Sequence, residues 1–119
     1  MRIKLDENAI ENSVYGIAVS FLDSDNNPAT PKTLTWSLTD GGGIVINSRK
    51  DVVVADPEST ENIILKGDDL QMQDSNSTRE LRLLLVSGTY DDAVLGADCP
   101  VREEISFFVK NYVEPLDPA

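Results

Sequence analysis

TLTWSLTDGGGIVIN, Thr33 to Asn47, is the stretch whose reading decides the fold. Leu34, Trp36 and Leu38 alternate with Thr33, Thr35, Ser37 and Thr39, so a pleated chain sends the apolar bulk to one face and the hydroxyls to the other. That is the pattern of a half-buried strand, with the only tryptophan of the chain on its core side. Asp40-Gly41, with Gly42 and Gly43 behind it, supplies the backbone freedom of a tight reversal, and Ile44 to Ile46 resumes an apolar run. A hairpin with an aromatic anchor is the prediction.

Outward from this hairpin the chain repeats the same grammar. Arg2 to Asp6 alternates and reads as a first strand, followed by a polar bend over Asn8 to Asn12. In Ser13 to Leu22, Tyr15, Ile17, Val19 and Phe21 share one face. Asp23 to Pro31, DSDNNPATP, is dense in turn formers, and its two prolines cannot continue a ladder, so it is a loop. Ile44 to Ala55 reads as two strands or as one that bends from one sheet to another. Glu61 to Lys66 is a further strand, after which Leu70 and Met72 are the apolar tethers of a long connection.

Arg79 to Tyr90 is apolar on both faces at Leu83 to Val86, the mark of a strand central in its sheet and covered on both sides, or covered by a partner chain. Asp91 to Pro100 reads as a turn-rich loop. Val101 to Lys110 alternates again, with Phe108 pointing outward. No segment carries a helical period beyond about two turns. The expected core is Tyr15, Ile17, Val19, Phe21, Leu34, Trp36, Leu38, Ile63, Leu65, Leu83, Leu85, Ile105, Phe107 and Val109. Residues 1–110 form one domain on this reading, and 111–119, with Pro115 and Pro118, an extended C-terminal tail.

Seven to eight short strands with turns between them, no substantial helix and a strand-centred tryptophan resemble an immunoglobulin-like antiparallel β-sandwich, an all-β fold. The paired cysteines of antibody domains are missing, and Tyr90 lies at the end of its strand, not at the start where a tyrosine corner would place it.

Composition narrows the function. The formal charge is −11, from 10 Lys plus Arg against 21 Asp plus Glu, so phosphate backbones and anionic membranes are repelled and no nucleic acid or membrane partner is expected. No apolar run approaches the roughly 18 residues of a membrane span, and the N-terminus lacks a signal-peptide core. Cys99 is alone, so no disulfide within the chain is available. Histidine is absent, which removes the commonest general base and zinc ligand together.

No catalytic residue is expected. Gly41 to Gly43 precede a strand and not a helix N-terminus, so they build a turn and not a phosphate cradle. Glu103 and Glu104 point to opposite faces of a strand and cannot act as a pair. The sharpest constellation is Asp23, Asp25 and Asn27, with the oxygen ligands of a calcium loop. Pro28 and Leu34 stand where an EF-hand loop needs Gly and Glu, so an EF-hand is excluded and a plain turn is the favoured account. In immunoglobulin-like order, with Ile44 to Ala55 as one bent strand, Asp23, Asp25, Asp56, Glu58, Asp91, Asp92 and Asp98 would gather at one end. That makes Asp23, Asp25, Asp91 and Asp92 the candidate cation ligands, with calcium the candidate ion. Candidate partner contacts are the outward Phe108 and, on the second apolar face of Arg79 to Tyr90, Leu84 and Val86.

YGIAVSFLDSDNNPATPKTLTWSLTDGGG, LRLLLVSGTYDD and EISFFVKN together resemble small immunoglobulin-like proteins of tailed bacteriophages and prophages. The shared pattern is a strand ending in an acidic turn, a proline, a Trp-bearing strand, and a later strand ending in a G-T-Y step. The resemblance implies a non-enzymatic virion protein made in the bacterial host cytoplasm: a capsid decoration, a head–tail junction protein or a tail component. Its partners would be further copies or other capsid and tail subunits. An adhesion or carbohydrate-binding module is the alternative, disfavoured by the start at Met1, the missing secretion signal and the scarcity of exposed aromatics.

Overall fold

Trp36 lies opposite Val86, and Leu38 opposite Leu84, because β4 (Thr33–Asp40) pairs antiparallel with β7 (Arg79–Asp92) along its whole length. These are the central rungs of a computed structural model that describes residues 2–74 and 76–112. β7 pairs on its other side with β8 (Gly96–Lys110). Beyond β8 the sheet is completed by β1 (Arg2–Lys4) and β2 (Ala9–Ile10), both running parallel to it. Beyond β4 lies the short β5 (Val52–Val53).

A second sheet holds two strands, β3 (Val14–Ser20) and β6 (Thr60–Lys66), paired antiparallel. Ile17, Val19, Ile63 and Leu65 on this sheet meet Leu34, Trp36, Leu38, Leu84, Val86, Ile105, Phe107 and Val109 on the large one in a single core. The structure is all-β, and two sheets sharing one core is consistent with a β-sandwich. Tyr15 stacks on Phe107, ring centroids 5.0 Å apart, and its hydroxyl donates to the Glu7 carbonyl, tying the N-terminal segment across the core edge. Leu70 is fully buried in a 3-10 turn, Gly67–Leu70, and Met72 packs partly buried beside it, so both expected tethers hold the long connection.

Several boundaries differ from the sequence reading. Asn8 to Asn12 is not only a polar bend: Ala9 is a buried core residue, and β2 forms there against β8. Ile44 to Ala55 neither bends between sheets nor makes two full strands. After the Asp40 turn it meets β4 at one bridge, Thr39 to Val45, and again where Leu38 N–H donates to the Arg49 carbonyl, then returns to the same edge as β5. Asn47, Ser48 and Asp51, all at positive φ, turn the chain between those contacts.

Asp91 to Pro100 is mostly strand, since β7 and β8 pair out to Asp92 opposite Gly96. Pro100 is tolerated because the carbonyl of its partner Thr89 accepts the Lys32 N–H on the β4 side. The pair is therefore not bonded across β7 and β8, and the position of the missing N–H faces away from the ladder.

The most consequential correction concerns β7. Leu84 and Val86, expected on the outside, are 0% and 2% exposed in the core, and Leu83 and Leu85 lie on the other face. The core face of β7 thus continues through Arg82, which is also buried. Arg82 survives there because its guanidinium donates to the Leu81 and Gln71 carbonyls and to the Glu80 carboxylate at 2.6 Å. At the far end Asn111 N–H still donates to the Thr78 carbonyl, and Tyr112 N–H to the Glu11 carboxylate. The remainder of the expected tail, 113–119, lies outside the described residues.

Candidate functional site

Two regions hold the residues singled out from the sequence. The first is the end of the molecule where the loop after β3 meets the β7–β8 turn. Asp23 closes the loop on itself, its Oδ1 accepting the N–H groups of Asp25 and Asn27. Asp92 reaches across: Oδ2 accepts Ser24 N–H, and Oδ1 accepts the Ser24 hydroxyl and the N–H groups of Val94 and Leu95. The Leu95, Ser24 and Val94 amides hold the Asp92 carboxyl far below the ordinary carboxylate range.

Asp91 and Asp98 share Lys32, whose ammonium lies 3.2 Å from one and 2.6 Å from the other. The Asp98 N–H and then Lys32 lower the Asp91 pKa, and the two carboxylates raise that of Lys32. The fold therefore brings Asp91, Asp92 and Asp98 next to the 23–32 loop. It spends their lone pairs on backbone amides, Ser24 and Lys32, not on an open ring of oxygens. Among the described residues no group of three acidic, Cys or His side chains stands in metal-binding geometry. Asp25 enters this arrangement through its N–H, and Glu58 donates its N–H to the Glu61 carboxylate.

The second region is the outward face of the large sheet. Leu81, Leu83 and Leu85 stand in a row on β7, with Phe108 opposite Leu81 on β8. Phe108 points outward as expected and is half-buried, with the Arg79 guanidinium 4.3 Å above its ring centroid. Leu83 is nearly covered by its neighbours, while Leu85 is 36% exposed between Ser37 and Glu104. Val53 on β5 extends the apolar character toward the sheet edge. Of the three expected contact residues only Phe108 lies on this face, and Leu85 takes the place assigned to Leu84 and Val86.

No family model, curated protein or solved structure matches this chain. Function is read from its surfaces.

Carboxylates recur as fasteners of loops, and the sequence reading missed Asp69, Glu80 and Arg82 in this role. Asp69, buried in the 3-10 turn, accepts from Asn47 Nδ2, Arg49 Nε and Lys66 N–H. Burial alone would raise its pKa, but the Arg49, Asn47 and Lys66 donors outweigh it and hold the carboxyl low. Glu80 accepts the N–H groups of Gln73 and Asp74 besides Arg82, and its pKa is likewise lowered against the effect of burial. One signal was available for Arg82: a cation two positions from a glutamate on the same face of an otherwise apolar strand.

Glu103 faces inward beside a pocket of about 180 Å³ lined by Phe21, Leu22, Tyr90 and Val101, and its Oε2 is buried with no protein donor. Glu104 opens to the opposite face, as the alternation demands, so the two do not form a general acid–base pair. Cys99 is a half-buried free thiol whose Sγ donates to the Gly96 carbonyl.

Proposed function

We propose that this chain is a non-enzymatic structural protein of a tailed-bacteriophage particle, acting through protein–protein contacts made by the outward face of its large sheet. The place in the particle is that of a capsid decoration, a head–tail junction protein or a tail component, and the chain is made in the bacterial host cytoplasm. The particle assignment rests on the residue pattern of the three segments that resemble small phage proteins. The observation that carries the mode of action is the row Leu81, Leu83, Leu85 and Phe108 on a face that an isolated sandwich would line with polar side chains.

An immunoglobulin-like arrangement supports the same reading. The order β1-β8-β7-β4-β5, with β3-β6 across the core, is compatible with such a sandwich in which the first strand joins the last one in place of β3. The net charge of −11 selects for basic protein surfaces around the apolar contact. Loops fixed by Asp92, Asp69 and Glu80 give the rigid body that a particle subunit presents to its neighbours.

Mass spectrometry of gradient-purified particles from the phage or prophage that encodes the chain tests the assignment. The chain should appear in a fixed ratio to the major capsid or tail protein. Particles that are complete and infectious without it in any fraction would remove the virion reading.

A further inference from the structure

We infer that β3 pairs with β3 of a second copy of this chain, edge to edge and antiparallel, joining two small sheets into one of four strands. Among the described residues β3 has a single partner, β6. Bonds at both ends of that pair, Gly67 N–H to the Ser13 carbonyl and Phe21 N–H to the Ser59 carbonyl, fix the alternation between them. The odd-numbered residues of β3 bond to β6. The backbone N–H and C=O groups of Val14, Gly16, Ala18 and Ser20 therefore face away from it, and all four residues are exposed. This is an open edge with a full set of donors and acceptors.

The edge is complementary to itself. A two-fold axis through Ile17 sets Val14 against Ser20 of the second copy and Gly16 against Ala18, and each of these residues already directs its amide outward. Every such pair exchanges two hydrogen bonds, and the inward residues of the two copies stay on one face, so the cores become continuous.

Charge chooses this edge over the others. Ser13 to Leu22 is a run of ten residues without Asp, Glu, Lys or Arg in a chain of net charge −11, so two copies meet there without bringing carboxylates together. It also lacks the lysine, proline or bulge by which edges are usually protected. The free edge of β6 differs on both counts. Glu58 precedes it, Glu61 lies within it, and Lys66 N–H is already taken by Asp69. β1, β2 and β5 are two or three residues long. The pairing does not depend on the particle assignment, because the same edge would join copies in any setting.

Sedimentation velocity of the full chain from micromolar to millimolar concentration tests the pairing, with Ala18→Pro as the variant. Proline at 18 removes an outward N–H and leaves the bonds to β6 intact. The wild type should dimerise, and Ala18→Pro should weaken the dimer by about tenfold or more with circular dichroism unchanged. Asn62→Pro, the same change on the β6 edge, should leave the dimer intact. If Ala18→Pro does not fold, Ala18→Asp decides: it brings two carboxylates across the axis and should give a monomer that re-associates as salt is raised. A wild type that stays monomeric at millimolar concentration, or a dimer indifferent to both Ala18 variants, overturns the inference.

Discussion

The Asp92 carboxylate receives both the backbone N–H and the hydroxyl of Ser24, each at 2.9 Å, across 68 positions of sequence. This contact joins the loop after β3 to the β7–β8 turn. It also turns a residue that looked like a cation ligand into a clamp.

Asp92→Asn keeps the volume but gives up the charge and half the acceptor capacity that serves Ser24, Val94 and Leu95. The variant should melt several degrees below the wild type, and amide exchange should accelerate at Ser24, Val94 and Leu95 before it does in β4. Unchanged exchange at those three amides would show that the clamp does not hold the loops.

The carboxyls of Asp92, Asp91, Asp69 and Glu80 all have folded pKa values below their ordinary ones. Their stabilisation is complete above the unfolded values near 4 and is lost as pH falls toward the folded ones. The melting temperature should be nearly level from about pH 8 to about pH 5.5 and then drop steeply below about pH 4. In Asp92→Asn that drop should be shallower. A wild-type curve that rises on acidification would contradict the direction of these shifts.

A Cβ at Gly88 would lie 2.2 Å from the Thr33 carbonyl oxygen, a backbone atom of the neighbouring strand that cannot rotate away. Gly88→Ala should therefore cost at least the ~3 kcal/mol upper range of overpacking, measured by urea denaturation. A loss under about 0.5 kcal/mol would mean that β4 and β7 separate more easily than their pairing implies.

Arg82→Met removes one partner of a buried ion pair and should destabilise by about 3 to 5 kcal/mol. Arg82→Met with Glu80→Gln should recover part of that loss, because no uncompensated carboxylate is left at the core edge. A double variant no more stable than the single one would place the cost in the carbonyl bonds to Gln71 and Leu81, which both variants lose.

Much of this architecture was legible in the sequence, and the failures have physical causes. Thr33 to Thr39 and Ser13 to Leu22 each have one apolar and one polar face, so their core sides followed directly from the alternation. β7 has no such asymmetry at Leu83 to Val86. There both faces are apolar, and the even-numbered one also carries Glu80 and Arg82. The even-numbered face won because the two charges satisfy each other and nearby backbone groups inside the protein. That polar network is tertiary and leaves no periodic signal.

The loops were misread for a related reason. Asp91 to Pro100 is rich in turn formers, yet the β7–β8 ladder runs through it, because Pro100 falls at a non-bonded rung and Gly96 and Asp98 accept positive φ. The acidic residues looked like a cation site because their acceptors were visible and the donors, Ser24, Lys32 and the backbone amides, were not. The outward position of Phe108 was legible, whereas Leu85 as its companion depended on the face assignment of β7.

We propose that the outward face of the large sheet joins this chain to a phage particle. Leu85→Lys sets a cation beside Glu104 and should change stability by less than about 1 kcal/mol. Tagged wild type and Leu85→Lys supplied in trans during infection should part company in the purified particles: wild type incorporated, the folded variant largely excluded. Equal incorporation of the two would contradict the account.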